Sequence, residues 1–153
     1  MGTRSRIGVM HGDLVKSVYC HWDGYLAHNG KILQEYYNSA QANELVSLGD
    51  LSSLRPSIGV EHAFSHYDTE MNQEEYYKQF GDMCTFYGRD RGESNTAFKV
   101  SHTFAEFLDQ CESCGAEYYY IMKDGVWYTG CPSKGSKLVA LTEAIEAEEK
   151  ETA

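Results

Sequence analysis

The sequence has no long apolar run and little positive charge, and each shortage excludes a class of protein. No stretch approaches the eighteen or so apolar residues of a membrane-spanning helix, and no apolar signal peptide precedes residue 20. The chain has 13 Lys and Arg residues against 23 Asp and Glu residues, which gives a net charge of −10. Because affinity for phosphate backbones comes from clustered Lys and Arg, we expect neither nucleic acid nor membrane among the partners.

The cysteines and histidines give only weak signals for a metal site. Five cysteines cannot form a complete disulfide set. Cys111 and Cys114 form one C-x2-C pair, whereas structural zinc sites usually carry two such pairs. His62 and His66 are four residues apart, but their segment lacks the glutamate arrangement of a metalloprotease helix. We therefore predict no metal, no cofactor and a reducing, cytoplasmic setting.

The composition is that of an ordered globular protein. Hydrophobic residues make up 42% of the chain, and its twelve tyrosines are twice the number of its phenylalanines. The length favours a single domain over residues 1–153. The tyrosine excess is typical of half-buried sheet positions and also of contact surfaces. Residues 146–153 are rich in glutamate, and we predict a solvated acidic tail there.

Hydrophobic periodicity predicts an α+β fold, with a mainly antiparallel sheet and helices packed on one face. Alternation predicts a hairpin of residues 5–10 and 14–22, and Asp124-Gly125 predicts a tight turn between two later strands. Helical spacing predicts four main helices, which start near Tyr25, Asn38, Thr103 and Leu138. Residues 55–83 show no clear period and are predicted to be a mobile insert.

Residues 19–25 place a thiol, an imidazole, a carboxylate and three aromatic rings at a strand-to-helix junction. If the strand continues through this stretch, Cys20 and Trp22 share one face and enter the core. The opposite face then carries three polar side chains: Tyr19, His21 and Asp23. We predict that this face, extended by Tyr25, binds a partner or a ligand.

The same residues allow an enzymatic alternative. An imidazole beside a carboxylate is the arrangement of a general base, so a hydrolase using His21 and Asp23 is one hypothesis. No nucleophile or substrate pocket is visible in the sequence, and we assign no catalytic residue. The enzymatic status is left open, and a binding role is favoured.

A charged, glycine-bracketed stretch at residues 88–93 is the second candidate site. Arg89 and Arg91 flank Asp90, and two such arginines can hold a phosphate or a carboxylate in bidentate fashion. The alternative is an ion network that holds a long loop together. We include all three residues among the candidate partner- or ligand-binding positions.

Several sequence blocks resemble an uncharacterised family of small proteins encoded by bacteriophages and prophages. The blocks are CHWDGY at 20–25, LGDLSSL at 48–54, YGRDRGE at 87–93 and EYYY at 117–120. The resemblance implies a phage or prophage origin and an accessory role in the cytoplasm of a bacterial host. It brings no catalytic residue with it.

These observations lead to one main hypothesis and a second binding role. The main hypothesis is a non-enzymatic accessory protein that binds and modulates a host protein or complex, such as a component of a defence system. The alternative is a binder that sequesters a nucleotide-like, phosphate-containing ligand. Arg89 and Arg91 would then hold the phosphate, and the base would stack on Tyr19, Tyr25 or Trp22. The oligomeric state is left open.

Overall fold

The computed structural model describes residues 2–134 and 137–152, and within these ranges it contains eight strands and six α-helices. The strands are β1 (Ser5–His11), β2 (Leu14–Cys20), β3 (Leu51–Ser53), β4 (Thr85–Phe86), β5 (Lys99–Ser101), β6 (Tyr118–Lys123), β7 (Val126–Gly130) and β8 (Val139–Ala140). The helices are α1 (Lys31–Tyr36), α2 (Ser39–Ser47), α3 (Gln73–Phe80), α4 (Tyr87–Arg91), α5 (Phe104–Ser113) and α6 (Leu141–Thr152). A π-helical turn at Leu26–Gly30 leads into α1. None of the described helices is long and apolar enough to cross a bilayer.

All eight strands belong to one mixed sheet, and the predicted α+β class is confirmed. The order is β4-β3-β2-β1-β6-β7-β8, with β5 paired to β2 beside β3. Five strand pairs are antiparallel, whereas β1 pairs with β6 and β2 pairs with β3 in parallel. The parallel pair of β2 and β3 brings the carboxyl ends of both strands to the same edge of the sheet.

The sheet is covered on both faces, which departs from the predicted one-face arrangement. Ile7 and Val9 of β1 belong to a core that includes residues of α1, α2 and α6. Met10 belongs to a second core with Phe107 and Cys111 of α5. Because neighbouring side chains on a strand point to opposite faces, α5 packs on the side of the sheet away from the other three helices.

Local sequence signals predicted the turns and caps well. The Asn38 side chain accepts from the Gln41 amide, and the Gln41 side chain accepts from the Asn38 amide, both at 3.0 Å. This reciprocal capping box starts α2. Asp124 and Gly125 have φ values of 52° and 80°, as a two-residue hairpin turn requires. The predicted helix start near Asn38 and the predicted turn at Asp124-Gly125 are both confirmed.

Four predicted segments look different in the structure. Residues 88–93 were expected to form a loop, but α4 covers most of them, because a buried Asp90 carboxylate caps the preceding Phe86 amide. The final helix was predicted from Leu138, yet Val139 and Ala140 pair with β7 as β8 before α6 begins. Residues 55–83 contain α3 and a 3₁₀-helical turn at His66–Asp68. The predicted acidic tail is part of α6, except for Ala153, which lies outside the described residues.

The corner after β2 is locked by the fully buried side chain of Asn29. Its Nδ2 donates to Ser5 Oγ at 3.3 Å, to Cys20 Sγ at 3.4 Å and to the Trp22 carbonyl at 3.4 Å. The Asn29 amide also donates to the Asp23 carbonyl at 3.2 Å. One side chain therefore fixes the path of the chain where the strand changes into a helix.

We expect Asn29→Ala to lower the free energy of unfolding by about 1–3 kcal/mol, because it leaves buried acceptors without their donor. Urea denaturation measures the change. Asn43→Ala is the matched control, since Asn43 is exposed on α2 and donates only to the Ser39 carbonyl. Equal losses in the two variants would contradict the locking role.

Candidate functional site

A cleft of about 380 Å³ opens at the carboxyl ends of β2 and β3. One wall comes from these strand ends, and the other comes from residues 64–66 and α3. The lining residues, which define the β2–β3 cleft, are Trp22, Asp23, Ser52, Ser53, Arg55, Phe64, Ser65, His66, Tyr76, Tyr77 and Thr85. Its volume falls in the range of small-molecule sites, about 300–1,000 Å³.

Two exposed aromatic rings line the cleft, and one of them was predicted to be buried. Trp22 is 43% exposed and Tyr77 is 53% exposed. Trp22 was expected in the core with Cys20, which is indeed fully buried. The expectation fails for Trp22 because β2 ends at Cys20 and Asp23 adopts a left-handed φ of 57°, so the two-residue alternation stops before the tryptophan.

The cleft contains charges of both signs that do not pair with each other. Asp23 and Arg55 both line it, yet within the described residues no ion pair or hydrogen bond joins their side chains. The Arg55 guanidinium donates through Nη1 to the Leu54 carbonyl at 2.9 Å. Its remaining N–H groups have no acceptor in the part of the chain that the structure describes. A ligand can therefore engage either charge.

Arg89 and Asp90 form the ion network that was the alternative to a binding loop. The Asp90 side chain is 0% exposed and accepts from the amides of Phe86 at 2.7 Å and His62 at 3.1 Å. Arg89 Nε donates to the same carboxylate at 3.0 Å, and its Nη1 donates to the Ile58 carbonyl at 3.0 Å. The pair ties residues 58–62 to β4 and thereby supports the cleft wall, which neither residue lines.

Arg91 lies behind the cleft wall. Its guanidinium pairs with Glu93 at 2.6 Å and lies 4.3 Å from the ring centre of Phe64 and 5.3 Å from that of Tyr87. Phe64 is one of the cleft residues. Arg91 therefore stacks on the wall from outside, and it is not among the lining residues.

Tyr19 and His21 pair with each other, and no hydrogen bond or ion pair in the described chain joins His21 to Asp23. The Tyr19 hydroxyl lies 2.5 Å from His21 Nδ1. Burial lowers the pKa of His21, as does the positive charge of Arg4, and burial raises the pKa of Tyr19 to about 12. Because His21 pairs with Tyr19 and not with the Asp23 carboxylate, the predicted general-base arrangement is not formed. Tyr25 is exposed outside the cleft.

No protein-family model, curated protein or solved structure matches this chain. The functional assignment therefore depends on the geometry of the site.

Of the seven predicted site residues, only Asp23 lines the cleft. Four further lining residues were not among the predicted site residues: Arg55, His66, Tyr77 and Thr85. Three of these four lie in residues 55–83, where no hydrophobic period indicated which side chains would face one another. The charge of Arg55 directly after LGDLSSL was the only available signal.

The buried thiols and the metal alternatives add nothing to this site. Burial raises the pKa of Cys20 and of Cys111 to about 12, so both thiols are protonated at neutral pH and are poor nucleophiles and ligands. Within residues 2–134 and 137–152, no three His, Cys, Asp or Glu side chains are grouped closely enough to hold a metal ion.

We expect Asp90→Ala to lower the free energy of unfolding by about 3–5 kcal/mol, because it leaves the Arg89 charge and two buried amides without their acceptor. Urea denaturation measures the loss, and hydrogen exchange over residues 58–66 should show faster opening. Glu93→Ala is the control, since it breaks the neighbouring exposed pair with Arg91 and should cost under about 1 kcal/mol. A small loss in Asp90→Ala would disprove the anchoring role.

The lowered pKa of His21 predicts the direction of its pH dependence. Because the folded state favours the neutral imidazole, this stabilisation is present above the unfolded pKa of about 6.5 and is lost as the pH falls through the folded pKa. An NMR titration should place the His21 midpoint below 6.5. Arg4→Gln should raise the midpoint, since it removes the repelling charge, while the effect of burial remains. An unchanged midpoint would contradict the role of Arg4.

Proposed function

We propose that this protein is a non-catalytic binding protein that sequesters a small phosphate-containing ligand in the β2–β3 cleft. The observation that carries the proposal is that Trp22, which is exposed, and Arg55, whose guanidinium has unpaired N–H groups, line the same polar cleft. A guanidinium binds phosphate oxygens in bidentate fashion, and an exposed indole stacks on a planar base. The hydroxyls of Ser52, Ser53 and Thr85 add donors and acceptors for the phosphate or a ribose.

The burial of the His62 imidazole beside the cleft residue Thr85 supports a binding role better than a catalytic one. Thr85 Oγ1 lies 3.5 Å from His62 Nε2, which is at the outer limit of a hydrogen bond. The His62 side chain is almost fully buried, stacks on Phe80 at 5.0 Å and lies with Nδ1 2.8 Å from the Val60 carbonyl. A general base needs access to the substrate proton, and this ring is packed as part of the wall.

A second candidate is a protein partner, and the exposed aromatic rim of the cleft favours it. Tyr67 is 86% exposed and packs against the cleft residue His66, while the exposed rings of Trp22 and Tyr77 line the cleft itself. Tyrosine and tryptophan are common at interface hot spots. In this candidate the chain is a phage or prophage accessory protein that binds a host protein or complex, such as a defence component, in the bacterial cytoplasm. The resemblance of the CHWDGY and YGRDRGE blocks to phage-encoded proteins supports this candidate.

The ligand hypothesis predicts thermal stabilisation by phosphate compounds. A panel of inorganic phosphate, ribose 5-phosphate and linear and cyclic nucleotides should contain a ligand that raises the melting temperature by roughly 5–10 °C at a hundredfold excess over its Kd. Arg55→Gln should abolish the shift, because it removes the phosphate contact. Lys31→Gln is the control, since Lys31 forms an exposed ion pair with Glu149 and does not line the cleft, and it should retain the shift.

A flat panel, or equal shifts in the wild type and Arg55→Gln, would overturn the ligand hypothesis. A purified host protein that binds the wild type but not Tyr67→Ala would then support the second candidate. Tyr36→Ala is its control, because Tyr36 is another exposed tyrosine, but it lies on α1 and not against the cleft residue His66.

A further inference from the structure

Asp23 has a fixed position and an unused carboxylate. Its φ of 57° lies in the left-handed region, where Asp and Asn are tolerated better than most residues. Its carbonyl accepts from Asn29, and the next amide, of Gly24, donates to the Thr3 carbonyl at 2.8 Å. The side chain lines the β2–β3 cleft and has no hydrogen-bond or ion-pair partner among the described residues. The backbone contacts therefore fix the point from which the Asp23 side chain enters the cleft, and both of its carboxylate oxygens can accept from a ligand.

The surroundings of Asp23 fit one end of a nucleotide. The exposed ring of Trp22 is its neighbour in the chain, and Arg55 lines the same cleft without forming an ion pair with it. The carboxylate and guanidinium groups are thus more than 4.0 Å apart, because no ion pair within that distance joins them. A ligand that satisfies both must carry hydrogen-bond donors at one end and negative charge at another, with a planar part for the indole.

Guanine is the base whose edge matches a carboxylate. An ionised carboxylate only accepts hydrogen bonds, so it requires two adjacent donors to use both oxygens. Guanine presents its N1–H beside its exocyclic N2 amino group. Adenine and cytosine each place a ring-nitrogen acceptor beside their amino group, and uracil places its N3–H between two carbonyls. These three bases would set a lone pair against the carboxylate.

We infer that Asp23 makes the β2–β3 cleft selective for guanine nucleotides, with the base on Asp23 and Trp22 and the phosphate on Arg55. The inference rests on the proposed function and adds the identity of the base and the residue that selects it. No covalent change of the ligand is involved.

The test compares the affinities of the four nucleoside 5′-monophosphates by calorimetry, with Trp22 fluorescence as a second signal. GMP should bind about 10- to 100-fold more tightly than AMP, the discrimination expected of one bidentate contact to a base edge. Asp23→Asn should remove most of this preference and favour AMP relative to GMP, because an amide offers one acceptor and one donor. Asparagine tolerates the same backbone conformation, so the variant should fold.

Asp124→Asn is a matched control. It makes the same substitution at another aspartate with positive φ, in the turn after β6, and it should leave the preference for GMP unchanged. A ligand-side comparison needs no variant: IMP lacks the N2 amino group of guanine and should bind the wild type roughly tenfold more weakly than GMP, or worse.

The outcomes separate this inference from the proposed function. If all four nucleotides bind with similar affinity, or if ribose 5-phosphate binds as tightly as the nucleotides do, the guanine selectivity is wrong. The phosphate site still stands in either case if Arg55→Gln abolishes the binding. If GMP remains preferred in Asp23→Asn, or IMP binds as well as GMP, Asp23 is not the selecting residue. If no phosphate compound binds, the proposed function and the inference fail together.

Discussion

The buried carboxylate of Asp90 is the constraint on which the candidate site depends. It accepts from the amides of His62 and Phe86 and from the Arg89 side chain, so it joins the segment at His62 to residues 86–90 at one point. A carboxylate with no exposed surface is stable only when such donors surround it. The loss of any one of these contacts therefore weakens the others as well. Because His62 belongs to residues 55–83, this contact also holds that segment against the sheet.

The cleft lies between two such locks, and each one fixes one of its walls. Asn29 holds the corner after β2 and thereby presents Trp22 and Asp23 at the strand end. Asp90 holds the segment that supplies the opposite wall. Both locks consist of buried, well-satisfied polar groups rather than of apolar packing alone, and such groups specify one geometry. The backbone positions of Asp23 and Arg55 are therefore set by the fold before a ligand arrives.

Local signals in the sequence predicted the framework, whereas the site required tertiary information. The Asn38 capping box and the Asp124-Gly125 turn each depend on side-chain and backbone contacts a few residues apart, which the sequence contains directly. Trp22 was misplaced because its exposure depends on where β2 ends, and Asn29 sets that corner from seven residues away. Arg89 was predicted to bind a ligand because the sequence does not show which carbonyls accept hydrogen bonds from its guanidinium. The fold shows that the Ile58 carbonyl is one of them.

An acidic protein that binds a phosphate repels it at long range and must attract it at short range. The net charge of −10 repels an anion at the distance of a Debye length, about 8–10 Å at physiological ionic strength. In the proposed complex a phosphate in direct contact with Arg55 would gain more from that short-range attraction than it loses to the distant carboxylates. The overall field cannot steer such a ligand inwards, as it does for basic nucleic-acid binders. Selectivity must then come from groups that touch the ligand. Because Asp23 is itself negative, it is compatible with a phosphate-containing ligand only if it binds the end of the ligand away from the phosphate.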